Sequence, residues 1–228
     1  RGLHVCPGFI DSHSHSDFNI LIEPAGQAKV QQGVTTEVCG NCGMSSAPLY
    51  GMARRQRAQG LKTLGIDIAW STLPEFAWLL RQKKLLCNIL PLIGHGNIRG
   101  SVIGYDDQLP DAATLQRMSD MLDAELRAGA WGLSTGLIYP PGVYAKTPEL
   151  ISLCRVAGRR GGLYTTHMRS EGDRLLEAIT EAISICRDAE IPVQISHLKT
   201  MGRQNWHKLP RVFEMIEKAR AEGLPLSA

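Results

Sequence analysis

The stretch "PGFIDSHSHSDF", residues 7–18, decides how the rest of the sequence is interpreted. A short apolar run leads into two histidines, His13 and His15, that are separated by one residue. In a β-strand, side chains at positions i and i+2 point to the same face, so a strand end here would direct both imidazoles to one point. Histidine is the most common metal ligand, but the pair alone is equally compatible with a surface loop. The pair therefore raises the hypothesis of a metal site, which the rest of the chain must test.

The chain repeats a short β-type run followed by a helical pattern. Seven runs predict strands, at residues 7–13, 34–40, 85–94, 130–135, 162–167, 192–197 and 224–228. Between them, apolar residues at positions 115, 118, 122 and 126 have the spacing of one buried helix face. Thr147 followed by Pro148 predicts a helix N-cap and a first helical residue. Residues 44–70 interrupt the alternation and are interpreted as a long insertion after the second strand.

Alternation of strands and helices predicts an α/β fold with a parallel sheet covered by helices. The sheet could be open and doubly wound, or closed into a barrel. No G-x-G-x-x-G or P-loop pattern follows a strand, which removes the usual nucleotide-binding reason for an open sheet. A barrel places its active site at the carboxyl ends of the strands. We therefore interpret residues 1–228 as a single domain, the N-terminal and central part of a TIM barrel.

Composition excludes several classes of partner. The net charge of the 228 residues is +3 with basic residues scattered, which favours neither a nucleic-acid surface nor a polybasic membrane surface. No apolar run approaches the ~18–20 residues of a membrane span, and the start lacks a signal-peptide layout. Six sparse cysteines, several in apolar runs, indicate a reducing compartment and a cytoplasmic location. Cys39 and Cys42 form one C-x-x-C, either a redox pair or half of a zinc ribbon whose second half is absent.

Chemistry-bearing residues follow most of the predicted strands. In strand order they are His13 and His15, then Cys42, His95, Tyr139, His167, and finally His197 with Lys199. Each of these residues alone is more typical of an ordinary loop. The ends of the strands in a barrel converge on one rim, however. The occurrence of such residues at several strand ends therefore predicts one shared pocket. Imidazole and thiolate are preferred zinc ligands, and a catalytic zinc keeps one position open for water.

Five segments of the chain resemble the N-acyl-D-amino-acid deacylases, the D-aminoacylases of the amidohydrolase superfamily. They are "PGFIDSHSHSDF", "GVTTEVCGNCG", "GLSTGLIYPPGVYAKTPEL", "THMRSEGDRLLEAI" and "PVQISHLKTMGRQNW", in this order and through essentially the whole chain. The cysteine after "GN" marks this branch of the superfamily. The resemblance implies a metal-dependent amidohydrolase-type (α/β)8 TIM barrel. It also implies zinc-dependent hydrolysis of N-acyl-D-amino acids, which gives a carboxylate and a free D-amino acid.

The resemblance also implies a site for one tightly bound Zn2+ and a second, weaker one. His13 and His15 would belong to one metal position, and Cys42, His167 and His197 to the tighter one. Tyr139 and Lys199 match positions that hold the carbonyl or carboxylate of the small-molecule substrate. An ammonium beside the metal is suited to the α-carboxylate of an acyl amino acid.

The family's general base is an aspartate at the end of the eighth strand, which we expect beyond residue 228. The small β-sandwich of the family is expected outside this range too. Asp11 and Asp17 are the carboxylates nearest to His15 in sequence, but neither replaces a base from the opposite wall. We therefore expect an incomplete barrel of about seven strands, with open sheet edges and little activity of its own.

Three alternatives remain at this point. A cyclic-amide hydrolase of the same superfamily, such as a dihydroorotase or hydantoinase, would use a carboxylated lysine, and the fourth strand "AWGLSTG" has none. A non-catalytic scaffold built on a barrel that has lost its activity would be expected to lose metal-binding residues. This chain keeps every metal-binding residue that its length could contain. A structural zinc domain would need four ligands in a closed site. Five candidates spread over most of the chain suit a pocket better.

Overall fold

The computed structural model describes residues 2–228, which alternate between strands and helices. The strands are β1 Phe9–Asp11, β2 Val34–Cys39, β3 Asn88–Pro91, β4 Ile93–Gly94, β5 Gly132–Gly136, β6 Leu163–His167, β7 Val193–Ile195 and β8 Leu226–Ser227. The α-helices are α1 Asn19–Ile22, α2 Gln27–Val30, α3 Gly51–Lys62, α4 Leu73–Arg81, α5 His95–Val102, α6 Ala112–Arg127, α7 Thr147–Arg159, α8 Leu175–Ala189 and α9 Leu209–Ala221.

All paired strands are parallel, and their order in space follows their order in the chain. β1, β2 and β3 form one sheet, and β4 to β8 form the other. β3 and β4 are two halves of one strand interrupted at Leu92, whose N–H donates to the carbonyl of Cys39 at 2.8 Å. The N–H of Trp131 donates to Pro91 at 2.8 Å and links the two sheets across the interruption. The strands therefore form one arc of seven positions, which confirms the predicted partial barrel. Within residues 2–228, β1 and β8 pair on one side only.

The core consists of two apolar clusters. The larger one lies between β4–β8 and the helices that cover them, and it contains Leu133, Tyr164 and Ile179. The smaller one lies near the first strands and surrounds Trp70, with Phe76 packed against it. Burial of this apolar surface is the main favourable term in folding. Ala130 packs against both clusters and joins the two halves of the arc.

Two predicted helix features have different outcomes. In α6, Met118, Leu122 and Leu126 are buried, as the apolar spacing predicted. In α7, Thr147 is the first helical residue rather than the cap, and the capping position is Lys146. The predicted cap is wrong because the Thr147 hydroxyl donates across to Glu181 of α8 at 2.8 Å instead of accepting from its own helix.

Residues 44–70, interpreted above as an insertion, contain α3, followed by a turn at residues 63–65. The Arg54 guanidinium donates to the carbonyls of Ile68 at 2.6 Å and Trp70 at 2.5 Å. The indole N–H of Trp70 donates to Ser46 at 2.7 Å. Both ends of the segment are therefore tied together. None of the helices in residues 2–228 has the length and apolar character of a membrane span.

Candidate metal centre

The two histidines of the opening stretch lie just beyond β1. The strand ends at Asp11, whose carboxylate accepts the N–H of His13 at 3.1 Å. The N–H of Ser14 then donates to the carbonyl of Val38 at 3.0 Å. The rings of His13 and His15 lie 5.2 Å apart and nearly perpendicular, at 79°. The imidazoles are neighbours, although a turn rather than strand alternation brings them together.

A buried carboxylate anchors the backbone of this turn. Glu37 of β2 is 3% exposed and accepts from the hydroxyls of Ser14 and Ser16, each at 2.6 Å. The ammonium of Lys29 lies 3.1 Å from the same oxygen and also pairs with Asp11. Burial raises the pKa of Glu37, but these three donors outweigh it and hold the pKa below its usual value. Because the two serines alternate with the two histidines, this network fixes the segment from which the imidazoles project.

Cys42 is held against β5 by its backbone. Its carbonyl accepts from the hydroxyl of Tyr139. A Cβ at Gly136 would lie 2.4 Å from that carbonyl, and a Cβ at Gly43 would lie 2.6 Å from the N of Gly136. Only glycine permits this approach, so the loop after β2 is seated tightly on β5. Burial raises the pKa of the Cys42 thiol to about 11.

The thiol meets two imidazoles that come from opposite parts of the chain. Cys42 Sγ lies 3.5 Å from His13 Nε2 and 3.6 Å from His197 Nε2. The rings of His13 and His197 lie 5.1 Å apart. Burial, with the charges of the neighbouring histidines, lowers the pKa of His13 to about 4. His13 is therefore neutral at physiological pH, the form that binds metal ions.

A second group of potential ligand atoms shares His197. The rings of His167 and His197 lie 4.5 Å apart. The buried carboxylate of Glu171 lies 2.8 Å from His197 Nδ1 and 3.9 Å from His167 Nε2, and it also accepts from the Lys199 ammonium. If Nδ1 of His197 carries the proton and donates it in a hydrogen bond to Glu171, Nε2 is unprotonated. Its lone pair then faces Cys42.

Sequence reasoning missed Glu171. Its only signal was its place in "THMRSEG", four residues after His167, but that segment is a loop in which spacing does not predict contact. The residue is nevertheless 5% exposed and lies between two imidazoles and an ammonium.

The donor atoms fit a zinc ion. His167 Nε2 is buried, and it has no hydrogen-bond partner in the described part of the chain. Buried polar atoms without a partner are rare, and a buried nitrogen beside a second imidazole and a carboxylate is suited to a metal. The groups of mutually close ligand atoms are His13, Cys42 and His197, and separately His167, Glu171 and His197. His15 belongs to neither group, and the grouping implied by the family resemblance stays a prediction.

Both residues predicted to bind substrate lie at this centre, but each is bonded within the protein. The Tyr139 hydroxyl donates to the Cys42 carbonyl, and its ring lies 5.6 Å from that of His167. The Lys199 ammonium pairs with Glu171. Tyr139 therefore supports the loop that carries the thiol, and the contact of either residue with substrate stays a prediction.

His95 does not share the pocket, so that expectation is wrong. β4 continues directly into α5, which turns His95 into the interior. Its Nε2 lies 2.8 Å from a Glu149 oxygen, which also accepts from the Nε of Arg99 at 3.2 Å. His95 therefore joins α5 to α7 instead of facing the other histidines.

The chain is similar in sequence and in structure to known N-acyl-D-amino-acid deacylases. No protein-family model matches the chain. An N-acyl-D-aspartate deacylase of Alcaligenes xylosoxydans xylosoxydans is 40% identical over 224 residues, 97% of this chain and 44% of the relative. A D-aminoacylase of the same organism is 38% identical over 220 residues, 96% of this chain and 45% of the relative. The crystal structure of the Bordetella bronchiseptica N-acyl-D-glutamate deacylase, complexed with zinc and a phosphonate mimic of the tetrahedral intermediate, matches with a TM-score of 0.88 and 39% identity. That match covers 96% of this chain and 46% of the deacylase, so the chain spans about half the length of these relatives.

Proposed function

The chain belongs to the N-acyl-D-amino-acid deacylase (D-aminoacylase) family of the amidohydrolases, and from this premise we propose that the whole protein is a zinc-dependent hydrolase. It would cleave the amide bond of N-acyl-D-amino acids into a carboxylate and a free D-amino acid. The observation that carries the proposal is the contact of the Cys42 thiol with the imidazoles of His13 and His197. Beside His197 lies the ring of His167, whose buried Nε2 has no hydrogen-bond partner among the described residues.

We propose that Cys42, His167 and His197 hold the tighter zinc, and that His13 and His15 contribute to a second, weaker position. Zinc bound there would supply Lewis-acid polarisation of the substrate carbonyl and activation of water. Glu171 supports the tighter position because it orients His197 through Nδ1. Tyr139 supports it because its hydroxyl fixes the backbone of Cys42.

Lys199 is the residue that we assign to the α-carboxylate of the substrate. Its ammonium lies 3.1 Å from His197 Nδ1, so a carboxylate bound there would lie beside the metal ligands. Glu171 shares the ammonium and keeps it in place before substrate arrives. The proton shuttle would be the aspartate of the eighth strand, because Glu171 is already bonded to Lys199 and His197.

A cytoplasmic location is part of the proposal. The six cysteines are free in the described residues, and five of them are buried. Free thiols are typical of proteins in reducing compartments.

The test uses protein expressed from the complete reading frame and loaded with zinc. We expect release of D-methionine from N-acetyl-D-methionine, with N-acetyl-L-methionine and a hydantoin turned over far more slowly. Hydantoin turnover above that of the D-amide would identify the protein as a cyclic-amide hydrolase instead. No turnover of any of the three would favour a non-catalytic scaffold.

A further inference from the structure

A cavity of about 440 Å³ opens from the metal centre toward α3. His15, Cys42 and Tyr139 line it at the metal side, and α3 lines it with Arg57 and Gly60 among others. Its remaining walls are mostly apolar, with Phe18, Leu49, Leu64 and Pro140 among them. The volume lies within the range of small-molecule sites, and an apolar lining with few polar groups is typical of them.

Arg57 is the cation of this cavity. Its guanidinium carbon lies 4.9 Å from the centre of the Phe18 ring. Within residues 2–228 it has no carboxylate oxygen within 4.0 Å and no side-chain hydrogen bond. Burial raises the pKa of the nearby Asp17 to about 6, and the charge of Arg57 opposes that rise only through space. A guanidinium carries five donors in a fork that matches a carboxylate, so this side chain is prepared for an anionic ligand.

The position of the cavity relative to Lys199 decides which part of a substrate it can hold. Lys199 and His197 do not line the cavity, which extends on the side of β1, β2 and β5. The α-carboxylate of an N-acyl amino acid is two bonds from the amide nitrogen, so it must bind close to the metal ligands, where Lys199 lies. The acyl group leaves the carbonyl carbon on the opposite side from the nitrogen. It therefore points toward the cavity and α3.

We propose that this cavity is the acyl subsite and that it takes an acyl chain longer than acetyl with a terminal carboxylate, which Arg57 binds. N-succinyl- and N-glutaryl-D-amino acids have this chemistry, with an apolar chain for the walls and an anion for the guanidinium. The proposal rests on the proposed function, because it assumes that the amide carbonyl is placed at the metal centre.

The first experiment compares kcat/KM for N-glutaryl-D-alanine and N-acetyl-D-alanine in zinc-loaded protein from the complete reading frame. In Arg57→Met, which keeps the length of the side chain, we expect the glutaryl-to-acetyl ratio to fall about 10- to 100-fold for a lost charge-assisted hydrogen bond. Arg55→Met is the matched control. Arg55 is exposed on the same helix and does not line the cavity, so it should leave the ratio unchanged.

A second variant fills the cavity without touching the charge. Gly60 lies in α3 and lines the cavity, and no heavy atom lies within 4 Å of a Cβ built there, so Gly60→Leu starts from open space. We expect it to lower the glutaryl-to-acetyl ratio about tenfold or more, because a filled pocket excludes a longer chain. Gln59→Leu is the control, because Gln59 is exposed and does not line the cavity.

Two results would overturn the subsite. An equal loss for both substrates in Arg57→Met would mean that Arg57 acts on the α-carboxylate or on the fold. With N-acetyl-D-glutamate assayed as a third substrate, a loss confined to it would mean that Arg57 binds the D-side chain instead of the acyl end.

Binding of glutarate, the acid that the reaction would release, separates this proposal from the proposed function. Calorimetry on the zinc-loaded protein should show that it binds glutarate. Arg57→Met should weaken the binding of glutarate more than the binding of butyrate, which lacks the second carboxylate. If the protein binds glutarate through Arg57 but hydrolyses no amide, the proposed function is refuted, while the cavity remains a binding site for the dicarboxylate. Hydrolysis of N-acetyl-D-alanine with no Arg57-dependent preference for glutarate would refute the subsite alone.

Discussion

At the scale of single residues, the metal centre depends on two unusual backbone conformations. Cys42 and His197 have φ values of 55° and 39°, in the left-handed region that residues other than glycine seldom adopt. Each such residue costs on the order of 1–3 kcal/mol and persists only where neighbours hold it. The hydroxyl of Tyr139 holds Cys42, and the carboxylate of Glu171 holds His197. The chain therefore stores strain at the two residues that bring the thiol and the imidazole together.

Cys42→Ala tests the assignment of the thiol. We expect zinc content, measured by elemental analysis on protein from the complete reading frame, to fall from about one tightly held ion per chain toward none. The physical reason is that thiolate is a preferred zinc ligand and alanine provides no donor. Cys87→Ala is the control, because Cys87 is a buried thiol that precedes β3 and belongs to neither group of ligand atoms. Full retention of zinc in Cys42→Ala would contradict the assignment.

Lys199→Ala tests the predicted contact with substrate. Loss of a charge-assisted contact of ~2–3 kcal/mol should raise KM about 10²-fold, with a smaller effect on kcat. Steady-state kinetics on N-acetyl-D-methionine and on its α-amide, which lacks the carboxylate, measure the difference. The α-amide should respond little to the substitution. Equal damage to both substrates would mean that Lys199 acts mainly through its ion pair with Glu171.

The types of residue in the centre could be predicted from the sequence, but not all their contacts. Histidines and a cysteine after apolar runs indicated a metal site because parallel strands end at one rim. The direction of each side chain beyond a strand end depends on local backbone angles, which spacing does not reveal. For this reason His95 was placed in the wrong surroundings and Glu171 was missed.

At the scale of elements, one buried ion cluster ties α5 to α7. Glu149 of α7 accepts from His95 and Arg99 of α5. Burial raises the pKa of Glu149, but its two partners outweigh this effect and hold the pKa below its ordinary value of 4.5. Because the folded pKa is depressed, the carboxylate contributes stability above the unfolded pKa, and this contribution is lost as the pH falls through the folded value.

Glu149→Gln should therefore show a pH-dependent loss of stability. At pH 7 we expect the free energy of unfolding to fall by about 3 kcal/mol, because the buried Arg99 loses its counter-charge. Urea unfolding at pH 7, 5 and 3 should show this deficit shrinking toward acid, where the wild-type carboxylate is protonated too. Glu214→Gln is the control, because Glu214 forms only an exposed pair with Arg211 and should cost little at any pH. A deficit of the same size at every pH would contradict the electrostatic explanation.

The regular elements were predictable where apolar periodicity was strong. All seven β-type runs became strand positions, and α6 buried the predicted face. α3 was not foreseen, since "GMARRQRAQGLK" carries two glycines and three arginines and buries only Ala53 and Leu61. Its position depends on packing against α5, which no local pattern encodes.

At the scale of the whole molecule, residues 2–228 form an arc whose first and last strands each have one neighbour among these residues. Phe9 and Ile10 of β1 are 59% and 63% exposed, as expected at a strand edge that further structure could cover. We predict that residues 1–228 expressed alone hydrolyse N-acetyl-D-methionine far more slowly than protein from the complete reading frame. Loss of general acid–base catalysis alone accounts for about 10²- to 10⁴-fold.

The comparison is a direct assay of D-methionine release at equal zinc occupancy. Circular dichroism of the shorter protein verifies that it is folded before its activity is interpreted. Activity within about tenfold of the longer protein would contradict the expectation that the general base lies beyond residue 228.

The division of the core into two clusters has a consequence for how the molecule opens. Amide hydrogens exchange with solvent through local and larger openings, whose free energies follow the packing around them. β5, β6 and β7 contribute buried residues to the larger cluster, whereas of the residues of β1 to β3 only Ile89 of β3 packs against the smaller one. The amides of β1 and β2 should therefore exchange before those of β6. The half of the arc that carries His13, His15 and Cys42 would then loosen first, and bound zinc would slow its exchange most.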